Sequence, residues 1–440
     1  MDKELCQPIL KALGTFDYVA ATKLIAKLTK LYQPMGTIFS KLNTCESSFT
    51  QLLFLRSRWF VMRKDTSVEL VYGNLVADLR REVAYIEQSA LDDSDKYQLS
   101  AIMIALEKLC QVRKEMINIY QAILAQSIKG EFNDILSKIV ELQKTAKGLG
   151  NHLDILGIGV EKEINILTSF LRARKAIVDY AFQDACIALY TSKQDLMEWK
   201  KLCQEQDYPE KSSKSEDAKE TSSWRFTLFG AQDNKVHKYG DTWPNTMRWY
   251  SKVLGNITAK MTLYFNSILL EKESIVTDDD PEKALWKGLP IDYNEHISTF
   301  KKRFGPHSIG LVYEVTNGIP FHPHGYVCPD STYEAPQGIH SFPFIYCYPK
   351  EAPNKHLPSI ISIIQGSKHK LNDPKAGPVY FFDNTVGSTY YLMRVDEHVV
   401  LVIIYLDRHV HREITTIEFM NQMVTLLRGS TVIEELITLD

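Results

Sequence analysis

No CxxC pair occurs among the seven cysteines, Cys6, Cys45, Cys110, Cys186, Cys203, Cys328 and Cys347. Their odd count and wide scatter exclude a disulfide framework and point to a reducing compartment. The longest apolar run, near residues 399–406, falls far short of the ~20 residues a membrane helix needs. The start, Met1-Asp-Lys-Glu-Leu5, is charged and has no apolar leader core. No myristoylation glycine follows Met1, and no prenylation cysteine lies near Asp440. Neither sign of charge dominates: 51 Lys and Arg face 54 Asp and Glu, a net of -3. Without a strong field the chain is expected to bind neither nucleic acid nor a lipid surface directly. A cytoplasmic protein that reaches membranes only through partners is the reading that remains.

Chemical signatures are also scarce. There is no G-x-S-x-G elbow and no G-x-x-x-x-G-K-[ST] loop. Gly148, Gly150, Gly157 and Gly159 lack the third glycine of G-x-G-x-x-G and read as a helix–helix turn. Asp278-Asp-Asp280 lacks the other ligands of a calcium loop. Lys301-Lys-Arg303 is a short basic cluster at a helix end, where cations complement the dipole, and no wider basic stripe surrounds it. Asn256-Ile-Thr258 spells a glycosylation sequon in a helical, cytosolic-looking context and is read as unmodified.

What is present describes a folded protein. Of 440 residues, 45% are hydrophobic and 24% charged, enough for two or three cores. Val68, Val71, Leu75, Leu79, Val83 and Ile86 recur at spacings of three and four, the stripe of an amphipathic helix, with Asp65-Thr-Ser67 poised to cap it. Leu99 to Ile123 forms a second stripe, with Ser94 as its expected cap and Gly130 as its stop. A third runs from Ile164 to Leu189 without a break. Leu24, Leu28 and Leu31 predict a shorter helix ending near Pro34, followed by another toward Phe60. Residues 243–270 predict one more helix, with Pro244 in its first turn. Long helices on short connections favour an antiparallel bundle. Residues 205–223, rich in Ser, Lys and Glu, lack the apolar content to order themselves and read as a flexible loop.

Beyond the boundary at Thr277-Asp-Asp-Asp-Pro281 the pattern changes. Residues 292–304 predict a helix stopped by Gly305-Pro306. Strands are expected over 308–315, 342–348, 359–365, 379–383, 388–395 and 399–406, and a closing helix over 416–427. Asp396-Glu-His398 is short enough only for an antiparallel hairpin. The fold class expected is therefore α plus α+β. Residues 1–275 would be the helical bundle. Residues 289–440 would be a mostly antiparallel sheet with helices on one face, a longin- or roadblock-like layout.

The segment from His322-Pro-His-Gly-Tyr326 to Ser331-Thr-Tyr-Glu-Ala-Pro-Gln-Gly338 concentrates imidazole, thiol, glycine and proline. His322, His324 and Cys328, with His340 or Cys347, could ligate zinc, and Cys328 or Ser341 with His340 and Glu334 could serve a hydrolase. No second tight ligand pair and no activating motif accompanies them. Cys347 lies in a strand-like run and is expected to be buried.

The same segment belongs to a collinear set of blocks. These are Arg63-Lys-Asp65 with Tyr72 and Leu79; Leu228-Phe-Gly230 with Gln232; Tyr264-Phe265; His324-Gly-Tyr326; and Tyr333 with Glu334-Ala-Pro336 and Gly338. Ser388-Thr-Tyr390 with Leu392 and Arg394, and His398 before Val402-Ile-Ile404, complete it. In this order the blocks resemble the KICSTOR complex component family. The resemblance implies a non-catalytic scaffold subunit without cofactor or metal. It implies a complex with a kaptin-like subunit, an integrin-repeat propeller and a large scaffold protein. That complex would recruit the Rag-inactivating GATOR complex to the lysosomal surface and restrain the TOR kinase when amino acids are scarce. No catalytic residue carries over, because the family has none established. Trp224, Phe226, Phe229, Tyr326 and Tyr333 lie in loop-like positions and are the expected aromatic anchors for partners.

Overall fold

The computed structural model describes residues 3–56, 67–90, 92–128, 130–204, 243–276, 280–316, 320–328, 332–408 and 413–439. Helices α1 (Lys3–Gly14), α2 (Tyr18–Leu31) and α3 (Gln33–Thr50) lead into α4 (Val68–Gln88) and the long α5 (Asp93–Ala125). Then come α6 (Asn133–Ala146), α7 (Gly150–Val178) and α8 (Phe182–Gln204). Local chemistry sets these ends. Asp17 accepts from the Ala20 amide at 2.8 Å to start α2, and Ser67 accepts from Leu70 at 3.1 Å to start α4. Pro34 sits in the first turn of α3 instead of ending the helix before it. Asp92, not Ser94, caps α5 by accepting from Asp95. Gly130 takes the left-handed conformation after that helix, as expected of a stop.

The stripe from Ile164 to Leu189 is two helices. Tyr180, at φ +56°, breaks it, and its ring lies 5.0 Å from Phe321 and 4.8 Å from Phe265. Tertiary stacking holds a residue that local propensity would leave helical. Likewise residues 243–270 divide at Phe265 into α9 (Asn245–Tyr264) and α10 (Asn266–Val276). Helices α11 (Pro281–Trp286) and α12 (Tyr293–Phe304) follow, the latter capped by Asp292 and stopped by Gly305 at φ +71°.

Strands β1 (Ser308–Tyr313), β2 (Phe344–Tyr348), β3 (Val379–Asp383), β4 (Ser388–Asp396) and β5 (Val399–Tyr405) form one antiparallel sheet in the order β2-β1-β5-β4-β3. The expected β4–β5 hairpin is present, pairing Tyr391 with Ile403 and Leu392 with Val402. The segment 359–365 is not a strand but part of helix α13 (Leu357–Gly366), which the short α14 (Lys368–Leu371) follows. Ser-Ile-Ile-Ser-Ile-Ile is β-branched and looks strand-like. Yet Ile360, Ile363 and Ile364 fall at helical spacing, all buried, and Pro358 pre-sets the first turn.

That helix covers one face of the sheet, packing on Val312, Leu392, Val400, Val402 and Ile404. The opposite face, Ile309, Leu311, Leu401, Ile403 and Tyr405, packs with Met420, Met423, Val424 and Leu427 of α15 (Glu413–Arg428) in the core that also fills the bundle. Helices therefore lie on both faces, not one. This is why every residue of β1 and β5 is buried. A last helix, α16 (Ser430–Thr438), returns to the bundle, where Trp249 of α9 donates to the Val432 carbonyl at 2.8 Å. Asn245 and Arg56 both donate to the carbonyl of Leu439.

Inside the bundle the apolar stripes enclose a charged network. Arg113 is 3% exposed and grips Glu46 with two bonds, Nε to Oε1 at 3.0 Å and Nη2 to Oε2 at 2.8 Å. Its Nη1 donates to Glu163 at 2.5 Å. Tyr72 donates to Glu46, Tyr120 donates to Glu163, and both are fully buried. This joins α3, α4, α5 and α7 by bonds that hold only in one register.

Candidate functional site

The connection between β1 and β2 carries the His-rich motif, and its residues are engaged with their own fold. Phe321 is buried and stacks on Tyr180 and on Tyr313, 5.2 Å away. The Gly325 amide donates to the His322 carbonyl at 2.7 Å, closing a turn with Gly325 at φ +70°. The Gly325 carbonyl then accepts from the Phe182 amide at 2.9 Å, the first residue of α8. A Cβ here would meet the Phe182 Cβ at 2.6 Å, so glycine is required by contact as well as by conformation.

The imidazoles face aromatic rings. His322 lies 5.2 Å from the Tyr333 ring and His324 lies 6.0 Å from that of Tyr326. Ser341 donates to the Pro336 carbonyl at 2.8 Å. Among the described residues no group of three or more His, Cys, Asp and Glu is arranged to hold a metal. The zinc or hydrolytic alternative at His322, His324 and Cys328 is not favoured. Cys347, expected to be buried, is half-buried, and its thiol is pushed up to about 11 by desolvation.

Tyr326 is half-buried against the core. Tyr333 accepts from the Phe321 amide at 3.3 Å yet remains 42% exposed, and Val327 and Ile339 on the same connection are exposed too. Trp224, Phe226 and Phe229 lie outside the described residues, as do the 205–223 loop, Asp278 and Asp279. Asp280 is described and caps α11 by accepting from Glu282 at 3.1 Å. Asn256 of the sequon is buried in α9, its amide directed at the Leu426 carbonyl.

A second site lies where bundle and sheet meet, and sequence reasoning did not find it. Lys260 of α9 sits 2.6 Å from Asp396 at the β4–β5 turn, with side chains 3% and 7% exposed. Tyr264 donates to the same carboxylate. Desolvation pushes the Lys260 ammonium down to about 8. Burial alone would push Asp396 up, but the charges of Lys260 and Arg174 outweigh it and hold the carboxyl below its ordinary range. Arg428 donates to the carbonyls of Val395, Ile128 and Arg394. Arg394 pairs with Glu314 at 3.0 Å. Arg174 rests on the Phe132 ring, 4.6 Å from its centroid, and burial lowers its pKa. Phe132, Arg174, Arg394, Asp396 and Arg428 border a cleft of about 620 Å³. Lys260 offered one signal: a charge within the apolar stripe of Ile257, Met261 and Tyr264.

Several of the described motif blocks thus fall at structural joints: Tyr72 on Glu46, Tyr264 on Asp396, Gly325 on Phe182, Tyr390 on His356 at 2.8 Å, Arg394 on Glu314; residues 63–65 and 228–232 lie outside the described residues. Compared with known families, the chain matches the one described as "KICSTOR complex C12orf66 like" over residues 17–438. The chain belongs to this family. It is 26% identical over 447 residues to KICSTOR subunit 2 of Xenopus laevis, covering 98% of this chain and 95% of the relative. KICSTOR subunit 2 of Danio rerio is 24% identical over 453 residues, covering 98% and 94%. Family membership makes this a KICSTOR-type component, and its full-length match includes both the bundle and the sheet.

Proposed function

We propose that this chain is a non-catalytic scaffold subunit of a KICSTOR-like complex. In that complex it would act with a kaptin-like subunit, an integrin-repeat propeller and a large scaffold protein. The complex would recruit the Rag-inactivating GATOR complex to the lysosomal surface and restrain TOR signalling when amino acids are scarce. The observation that carries this reading is the family match across residues 17–438. It is supported by the way the chemistry-bearing loop spends its groups on internal packing. No described helix is long and apolar enough to cross a membrane, which suits a peripheral position reached through partners.

We read residues 1–275 as the helical unit and 289–440 as the α+β unit of this scaffold. The order β2-β1-β5-β4-β3, with α13 and the short α14 between β2 and β3 and helices after β5, supports a longin-like layer. Tyr333 and Tyr326, with Trp224, Phe226 and Phe229, are the anchors we assign to partners. A specific interface buries ~800 Å² per partner and concentrates its energy in such aromatics. Affinity purification of the tagged full chain tests the reading. The other subunits are expected to co-purify in stoichiometric amounts, and Tyr333→Ala is expected to reduce at least one of them. A folded chain that never retains them refutes the assignment.

A further inference from the structure

The sheet ends on one side in a strand, β3, whose outer edge has no partner strand among the described residues. At the other end β2 lies against α9 and α10 of the bundle. Beyond its ladder with β4, the backbone of β3 makes one bond among the described residues, from the Gly387 amide to the Asp383 carbonyl at 2.8 Å. Alternate residues of such a strand turn their N–H and C=O groups outward, where another extended chain satisfies them in register. Edges of this kind are ordinarily blunted by lysine, by proline or by a bulge. Val379-Tyr-Phe-Phe-Asp383 contains neither residue, and its register with β4 is continuous. It presents aromatic rings instead: Tyr380 is 40% exposed and Phe381 45%, and as neighbours in a strand they point to opposite faces.

The helix beside this edge is equally bare of charge. Val379 packs in one cluster with Ile360 and Ile363 of α13, and Ser359 at the start of that helix donates to the Asp383 carboxylate at 2.9 Å. From Leu357 to Gly366 α13 has no charged residue, although Pro358, Ser362 and Gln365 are exposed. The outer face of a solvated helix ordinarily carries charges. Aromatic residues combined with depleted charge are the composition of an interface core. The strand is also complementary to itself. In an antiparallel pair that uses the whole of β3, a two-fold axis passes at Phe381. Tyr380 then stands opposite Phe382 of the second copy, and Asp383, the only charge in the strand, stands opposite Val379 and not opposite itself. Both α13 helices fall on the same face of the joined sheet, and neither brings a charge that must be desolvated.

We infer that two copies of this chain pair through β3, antiparallel about Phe381, and join their sheets into one. Light scattering on the purified full chain across micromolar concentrations tests this, and the expected mass is twice that of a single chain. Phe381→Lys alters an exposed side chain and sets two cations against each other on the axis, so the variant should keep its circular dichroism and fall to the mass of one chain. Ile187→Lys, on the exposed face of α8, should retain the doubled mass. Phe381→Cys should cross-link to its counterpart under mild oxidation, because the axis brings that position against itself. A single-chain mass for the parent at every concentration overturns the inference. So does a doubled mass that a folded Phe381→Lys protein retains, or a dimeric Phe381→Cys protein that does not cross-link.

Discussion

Replacing Arg113 by methionine would leave two carboxylates, Glu46 and Glu163, facing each other inside the bundle without a cation between them. The guanidinium gives Glu46 two bonds, at 3.0 and 2.8 Å, and Glu163 one at 2.5 Å, and all three side chains are 3% exposed or less. Removing one partner from such a buried set costs about 3–5 kcal/mol, because the remaining charges stay desolvated. Tyr72 and Tyr120 would still donate to the two acids and limit the loss. The cost should also depend on pH. An unpaired buried carboxyl has a folded-state pKa above its unfolded value, so it takes up a proton on folding and the variant recovers stability as pH falls. Urea denaturation near about pH 7.5 and near about pH 5 would measure both effects. Trp249 is a suitable reporter, with its ring 5.8 Å from Tyr120. The combined variant Glu46→Gln, Arg113→Met, Glu163→Gln should be more stable than Arg113→Met alone near neutral pH. A loss below about 1 kcal/mol, or one identical at both pH values, would refute the claim that this network is charged and desolvated.

Two further outcomes follow from the joints. Gly325→Ala should destabilise the folded chain by about 1–3 kcal/mol, since φ is +70° and the added methyl would meet Phe182 at 2.6 Å; thermal unfolding checks this, and an unchanged midpoint would contradict it. Lys260 should make stability rise on the alkaline side. With its folded-state pKa lowered to about 8, the folded chain releases this proton before the unfolded chain does, so the burial penalty present below pH 8 is relieved as pH climbs toward the unfolded value. Between about pH 7.5 and 9.5 this contributes about 2 kcal/mol in favour of the fold. Buried tyrosines such as Tyr180, whose phenol burial pushes up, act in the opposite sense, but Lys260→Met retains them. The difference between parent and Lys260→Met in denaturation midpoints should therefore change with pH by that amount; a constant difference would exclude it.

Where a motif rests on neighbours in the chain, reading the sequence located it closely. The strand at Val379–Asp383, the hairpin turn before His398, the cap at Ser67 and the stop at Gly305 all depend on a few consecutive residues. The errors arise where distant contacts decide. Tyr180 turns because Phe265 and Phe321 stack on it. The segment 359–365 satisfies both a strand and a helix pattern until the sheet face it covers is known. The cleft was invisible for the same reason. Arg174, Arg394 and Arg428 come from three separate elements, and nothing in any one of them marks their convergence. Helix α1 was missed because Pro8 and a short apolar pattern obscured it. Conversely, the His322–Cys328 segment drew attention by composition, yet its Gly325 and the preceding Phe321 make the closer contacts with the rest of the fold.

The contact of Lys260 with Asp396 also limits how this protein can move. Swinging the sheet away from the helices would strand an ammonium and a carboxylate on opposite dry walls, and would strip Trp249 of the carbonyl it holds on α16. Bundle and sheet are therefore tied through buried polar contacts and a shared core, so a partner docking on one leans on the packing of the other.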